Sequence, residues 1–204
     1  MNRQEKLWNG EFGTEYHDRN KFEDRTEFWT DILGDEVLKD AYAVLEPGAG
    51  KGENLAAIAN ARKLYLDIPM EKLMLTGVEV NVGACADLNL HGFTGINKPF
   101  LDTSWSARFP LVITRGFLIH VPTAALTATL AGIYNASSNY ICLVEYYSPA
   151  RREVKYHGKD SALWVDDFAG KMMEMYGDLK LVDYGFKYHK DEQGYDLTYF
   201  LLEK

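Results

Sequence analysis

The sequence predicts an α/β fold: a Rossmann-like, mostly parallel sheet with an antiparallel last strand and an N-terminal helical cap. Three observations predict it. Short apolar runs alternate with segments of helical period from Tyr42 to Tyr146. A glycine turn, Gly48-Ala49-Gly50-Lys51-Gly52, follows the first run, and a helical segment starts at once. Two further runs close the chain across the short link KDEQG, as an antiparallel hairpin requires.

The 204 residues suit one domain, with residues 1–35 as the cap and 36–204 as the core. In the cap, Leu7, Trp8, Phe12 and Tyr16 recur at helix-like spacing, interrupted by Gly10 and Gly13. Phe22, Phe28, Trp29, Ile32 and Leu33 offer a second apolar face. Such a segment either packs as an extra helix or closes as a lid that keeps water out. Tyr16 and Arg19 are its polar members of interest. An arginine fork pairs with a carboxylate, and Arg25 offers the same chemistry; the sequence does not choose.

The first strand spans Tyr42–Glu46, and its helix spans Glu53–Tyr65. Residues 73–81 read as a second buried strand ending in Glu79, an acid able to accept from two ribose hydroxyls. Asn81–Leu90 reads as a helix ended by His91-Gly92, and Phe93–Ile96 as a short third strand. Asp102 follows in the phrase PFLDTSW, either as an Asx-turn or cap or as a ligand contact. Phe109–Arg115 is the fourth strand, apolar on both pleat faces, with Pro110 at its entrance. Pro122 opens a helix over Thr123–Tyr134, and Tyr140–Tyr146 is the fifth strand. Arg115–His120 and Glu145–Ser148 therefore lie at carboxyl ends of central strands, where open α/β sheets bind ligands. Residues 147–165, with the basic phrase ARREVKYHGKDS, read as a solvated or substrate-facing loop. A helix is expected over Leu163–Tyr176, with Met172 and Met175 as core filler, then strands over 180–189 and 195–202.

Composition narrows the function classes. A net charge of −8 argues against a nucleic-acid partner, which needs a basic face. Cys85 and Cys142 lie far apart and form no metal-ligand pattern. The start has no apolar signal core and no run reaches membrane-spanning length, so a cytoplasmic protein without a membrane partner is expected. Aromatic residues make up 13%, which suits either a well-packed core or an aromatic-lined pocket.

The compact G-x-G-x-G after Val44-Leu45-Glu46 resembles motif I of the class I S-adenosylmethionine (SAM) methyltransferases. Val78-Glu79-Val80-Asn81 resembles their acidic second-strand motif. A dinucleotide fingerprint would place its third glycine one residue later. Over nearly its whole length the chain resembles the pseudaminic acid biosynthesis-associated methylases. The phrases that carry this are WNGEFGTEYHDRN, VLEPGAGKGENLAAI, VITRGFLIHVP, VEYYSP and DDFAGKMMEMYGDLKLVDYGFKYHKD. Two departures stand out: Pro110 replaces a usual acid, and Leu163-Trp164-Val165 lacks the basic residues expected before Asp167.

The resemblance implies a seven-stranded sheet, SAM as cofactor with S-adenosylhomocysteine as product, and no metal. It implies methyl transfer to an O or N atom of a small polar acceptor, such as a sugar or sugar-nucleotide precursor, by a monomer or homodimer. The cofactor residues it implies are Tyr16, Arg19, Glu46, Gly48, Gly50, Gly52, Glu79, Val80, Asp102 and Arg115. His120 is the first candidate base, because histidine titrates near working pH, and Glu145 is the second. Each has an ordinary alternative: a helix-capping or core histidine, and a carboxylate tied to backbone N–H groups or to Lys/Arg. Tyr146, Tyr147, Tyr156 and His157 mark the expected acceptor wall, and Asp166 and Asp167 the cap of the following helix. Rival readings are a non-catalytic SAM-binding sensor or assembly protein and an NAD-type oxidoreductase. A nucleic-acid methyltransferase is disfavoured by TRGF standing where an N/D-P-P-Y/F motif would follow the fourth strand.

Overall fold

Both faces of the sheet are covered by helices, and this is why its central strands are apolar without alternation. The computed structural model describes residues 1–156, 159–190 and 196–204. Three helices come first: α1 (Arg3–Asn9), α2 (Glu11–Arg19) and α3 (Thr26–Asp40). The core then runs β1 (Ala43–Pro47), α4 (Glu53–Leu66), β2 (Met74–Val78), α5 (Val82–Leu90), β3 (Thr94–Ile96), β4 (Phe109–Arg115), α6 (Thr123–Ala136) and β5 (Ser137–Glu145). The remainder is β6 (Arg152–Tyr156), β7 (Lys159–Val165), α7 (Phe168–Met175), β8 (Lys180–Lys187) and β9 (Leu197–Glu203). The main sheet has the order β3-β2-β1-β4-β5-β9-β8. Strands β3, β2, β1, β4 and β5 pair in parallel, while β9 runs antiparallel to both β5 and β8. The expected sheet with its antiparallel last strand is thus what forms.

The pleat distributes one apolar run to two cores. Val44, Leu111, Ile113, Cys142 and Val144 face the layer built by α3 and α4. Ala43, Leu45, Val112, Ile141 and Leu143 face the layer built by α6 and α7. Helix α3 belongs to the first layer through Phe28, Trp29, Ile32, Leu33 and Val37. The segment lying outside the sheet layers is therefore α1 and α2. Pro110 sits where the β4–β5 register slips between Phe109 and Leu111, so its missing N–H falls on an existing irregularity.

Four expectations change. Residues 147–165 contain an antiparallel hairpin, β6 paired with β7, in place of a loop. Charged residues alternate there with Val154 and Tyr156, which pack on the α6/α7 core, and that period of two is the strand signal. The helix expected from Leu163 starts at Phe168, because Leu163 pairs with Val154 in the hairpin and Asp167 caps the helix, accepting from Gly170 N at 2.8 Å. Asp166 does not cap: it is buried, 3.1 Å from Arg151 and 2.8 Å from Lys171. Met175 is exposed, whereas Met172 is core. The last two strands meet as the hairpin expected, although residues 191–195 of its link lie outside the described residues. No helix among the described residues is long and apolar enough to cross a membrane.

Helices α1 and α2 meet at Gly13, where an added Cβ would lie 1.7 Å from the Trp8 carbonyl oxygen. That contact is backbone, so it has no side chain to yield. Gly13→Ala is expected to cost the cap about 1–3 kcal/mol of docking energy, as for an overpacked core site. Limited proteolysis checks it: cleavage within residues 1–25 should speed up while the melting of the sheet core changes little. Equal cleavage rates in the two proteins would contradict the close packing.

Candidate active site

The site begins at the turn between β1 and α4. Gly48 has φ 68° and Gly50 φ 55°, conformations a residue with Cβ adopts only under strain. At Gly48 a Cβ would also approach Phe117 Cδ2 to 2.5 Å, so the turn is fitted against the chain leaving β4. The turn is held from the other side by Glu79, just beyond the tip of β2. Its Oε2 accepts from Gly50 N at 2.9 Å and its Oε1 from Asn81 N at 2.7 Å. Burial pushes the Glu79 carboxyl up, and the N–H groups of Asn81, Gly50 and Val80 oppose that shift.

A cavity of about 260 Å³ opens beside this turn. Its floor is Gly48–Lys51 with Glu79 and Val80; Arg115, Phe117 and His120 form the side reached from β4. Trp8, Tyr16 and His17 of α1 and α2 also line it, so the N-terminal helices supply part of its wall. They are pinned there by Lys51 Nζ donating to the His17 carbonyl, and by Asn81 Nδ2 donating to the Trp8 carbonyl at 3.0 Å.

One end of the cavity is polar. Asn54 donates to Glu46 Oε1 at 2.6 Å, and its own Oδ1 accepts from Trp29 Nε1 at 3.1 Å and Arg25 Nη1 at 3.2 Å. Arg25 also pairs with Glu53 at 2.5 Å. Glu46 is fully buried and its Oε2 has no partner among the described residues; Arg25 Nε and Arg115 Nε are likewise unmatched. Burial pushes the Glu46 carboxyl up to about 8, against the pull of Asn54, Arg25 and Arg115. Burial and the like charge of Arg25 push Arg115 down.

His120 closes the 3₁₀ turn Leu118–His120 beyond β4. Its Nδ1 lies 2.8 Å from the Ala162 carbonyl oxygen. A carbonyl only accepts, so Nδ1 carries the proton and Nε2 presents a lone pair. Burial lowers the His120 pKa to about 4, so the ring does not titrate near working pH as expected from its residue type and stays neutral at physiological pH. Trp8 and Tyr156 pack edge-on against this ring, with centroids at 4.7 and 5.1 Å.

The cavity gathers Tyr16, Gly48, Gly50, Glu79, Val80, Arg115 and His120. Glu46 stands behind Asn54, Gly52 packs against Phe93, and Tyr156 reaches the site through His120. Several expected site residues lie elsewhere. Arg19 is exposed, its guanidinium 5.5 Å over the Tyr16 ring, and Arg25 is the cap arginine on the cavity wall. Asp102 is exposed at the end of its 3₁₀ turn; Phe100 and Leu101 of that turn line the cavity instead. Glu145 is not on the wall. Its Oε1 accepts from Phe117 N at 3.1 Å and Leu118 N at 3.0 Å, and its Oε2 from Ile119 N at 3.3 Å. That carboxylate fixes the turn bearing His120 and is occupied in doing so. Tyr146 is half-buried between the two cores, and Tyr147 is exposed, 5.8 Å from Phe200. His157 lies outside the described residues. Sequence reasoning missed Asn54 and His17. The position of Asn54, two residues after the last glycine of the turn, was the available signal.

The buried acids give a pH dependence with a definite sign. In the folded chain Glu46 titrates near about 8 and Glu145 near about 7, against an ordinary 4.5. Their stabilisation is complete below pH 4.5 and is lost as pH rises through 7 and then 8. His17 and His120, lowered from 6.5 to about 4, act oppositely and withdraw support as pH falls through that range. Between about pH 7 and 8 the histidines are neutral in both states, so stability should fall as pH rises, by up to ~1.4 kcal/mol per pH unit for one group. Glu46→Gln should flatten that slope. Denaturant unfolding at several pH values measures it, and an equal slope in the variant would remove Glu46 as its source.

No family model and no curated protein matches this sequence. Solved structures do. Magnesium protoporphyrin IX methyltransferase from Synechocystis PCC 6803, with bound SAM, superposes with a TM-score of 0.69 at 11% identity, over 100% of this chain and 98% of that one. The 1,6-didemethyltoxoflavin-N1-methyltransferase of Burkholderia thailandensis, with its substrate and S-adenosylhomocysteine bound, gives 0.62 at 17% identity, over 96% and 90%. A SAM-dependent methyltransferase of Leishmania major gives 0.60 at 16% identity, over 99% and 87%. The chain has the fold of the SAM-dependent methyltransferases.

Proposed function

We propose that this protein is a SAM-dependent methyltransferase acting on an O or N atom of a small polar acceptor. One observation carries the reading: a single cavity is lined by the glycine turn with its buried Glu79, by Arg25 and Arg115 with their unmatched Nε atoms, and by a neutral histidine. The orphaned arginine atoms suit the carboxylate of an α-amino acid, with Arg25 and Arg115 offering the N–H groups; Glu46 stands behind Asn54, off the cavity wall. Glu79 uses one acceptor position on each oxygen for the backbone, which leaves a carboxylate able to accept ribose hydroxyls. Val80, Phe100 and Phe117 supply apolar surface for a base.

When bound, SAM supplies an electrophilic methyl on a sulfonium. The chain's part is to orient the acceptor, exclude water and take a proton. His120 is the group for the proton: Nδ1–H is fixed on Ala162, so Nε2 is the receiving atom. Tyr16, His17 and Trp8 of the cap cover the site, consistent with a lid. The neighbouring structures' named substrates differ widely, so the acceptor rests on the sequence resemblance, which favours a sugar or sugar-nucleotide precursor.

Calorimetric titration with SAM, S-adenosylhomocysteine and NAD tests the cofactor. Micromolar binding of the first two, about −8 kcal/mol, and none of NAD is expected. Glu79→Ala should weaken SAM by roughly 10–100-fold, the loss of one or two charge-assisted bonds. Absence of sulfur-nucleoside binding by the folded protein would reject the reading. His120→Ala should slow turnover by about 10²–10⁴-fold with SAM affinity retained. Wild-type turnover in that variant would move the base elsewhere, and SAM binding without turnover over a broad acceptor panel would favour a sensor.

A further inference from the structure

The two ends of the main sheet are unlike. At one end β3 has three residues; at the other β8 has eight and, among the described residues, is bonded to β9 along one side only. An open edge presents unpaired N–H and C=O groups, and proteins blunt it by shortness, charge or cover. Strand β3 is blunted by its length. Along β8 and the residue after it, Leu181, Val182, Tyr184, Phe186 and Tyr188 are 42–64% exposed. Tyr184 stacks on Phe200 at 6.2 Å, which extends the aromatic surface from the edge onto the sheet. Continuous apolar exposure of this kind marks an interaction surface.

We propose that β8 is a dimerisation strand, pairing antiparallel with β8 of a second copy about a two-fold axis at Gly185. This register sets Asp183 opposite Lys187 and Tyr184 opposite Phe186, each twice by symmetry. Its neighbours do not. An axis at Tyr184 sets Leu181 against Lys187, and an axis between Asp183 and Tyr184 sets Lys180 against Lys187. The charges and the aromatics also fall on separate faces. Lys187 lies on the α3 side, 3.4 Å from Asp31, while Tyr184 lies on the other side against Phe200. The ammonium of Lys187 has three donors, and the Asp183 carboxylate, bonded to the Tyr199 hydroxyl at 2.8 Å, accepts more than one bond. The slip of the β8–β9 register at Val182 bounds the paired stretch at Asp183. No residue of β8 lines the cavity, so the dimer forms away from the proposed site.

Sedimentation velocity with light scattering, over a dilution series, tests the proposal. A particle of twice the 23.2 kDa chain mass is expected. Asp183→Lys, which sets lysine against lysine twice, should weaken association at least tenfold; adding Lys187→Asp to it should restore the dimer. Phe186→Asp, at an exposed position, should also yield monomer. Circular dichroism and unchanged SAM binding show that each variant is folded. A wild-type monomer at the highest attainable concentration overturns the proposal. So does a dimer indifferent to Asp183→Lys and Phe186→Asp, or one that the double charge exchange fails to restore.

Discussion

The buried carboxylate of Glu79 is the constraint on which the rest of the site depends. It accepts from Gly50 in the turn and from Asn81 at the start of α5, and so locks two strand ends together. Asn81 passes the constraint on. Its Oδ1 caps α5 through Ala84 N at 3.0 Å, and its Nδ2 reaches Trp8 and Thr14 in the N-terminal helices. Three elements far apart in sequence, the glycine turn, α5 and the cap, thus take their positions from one acid and its neighbour. A buried charge is costly unless hydrogen-bonded, so an acid at this place commits the surrounding backbone to one arrangement.

The same logic recurs with a difference. Glu46 in β1, Glu79 after β2 and Glu145 at the end of β5 are three buried acids at the carboxyl edge of the sheet. Glu79 and Glu145 have both oxygens on backbone N–H groups, and each fixes a turn. Glu46 has one oxygen on Asn54 and one orphaned, and burial raises its carboxyl to about 8. Satisfied acids hold geometry. The unsatisfied one lies near Arg25 and Arg115, each of which has an unmatched Nε.

The fold was legible because its signal is local. The runs at Val44–Leu45 and Phe109–Arg115 are short, apolar and β-branched, and the glycine turn can serve only where the backbone turns left-handed. The hairpin β6–β7 is obscured in the sequence because charge at Arg152, Glu153 and Lys155 masks the alternation of Val154 and Tyr156. The candidate site was legible in part. Glu79 and His120 sit on local signals, an acid after a strand and a histidine after a strand. The choice between Arg19 and Arg25 is tertiary: Arg19 ends α2 facing solvent, while Arg25 precedes α3 and meets Glu53 and Asn54 at the start of α4. The partners of Glu145 are 26 to 28 residues away, beyond what spacing reports.

The environment of His120 ties the cap to the chemistry. A histidine is neutral at physiological pH without help, but its tautomer and its exposure to water are set by neighbours. The Ala162 carbonyl, carried by β7, fixes the tautomer; Trp8 of the cap and Tyr156 of β6 cover the ring. Glu145 holds the turn that carries it. The hairpin and the cap lie outside the main sheet, yet both converge on this one ring. Their packing therefore does two things at once: it adds Leu163 and Val165 to the core, and it dries His120 and fixes its free nitrogen, as the proposed base requires.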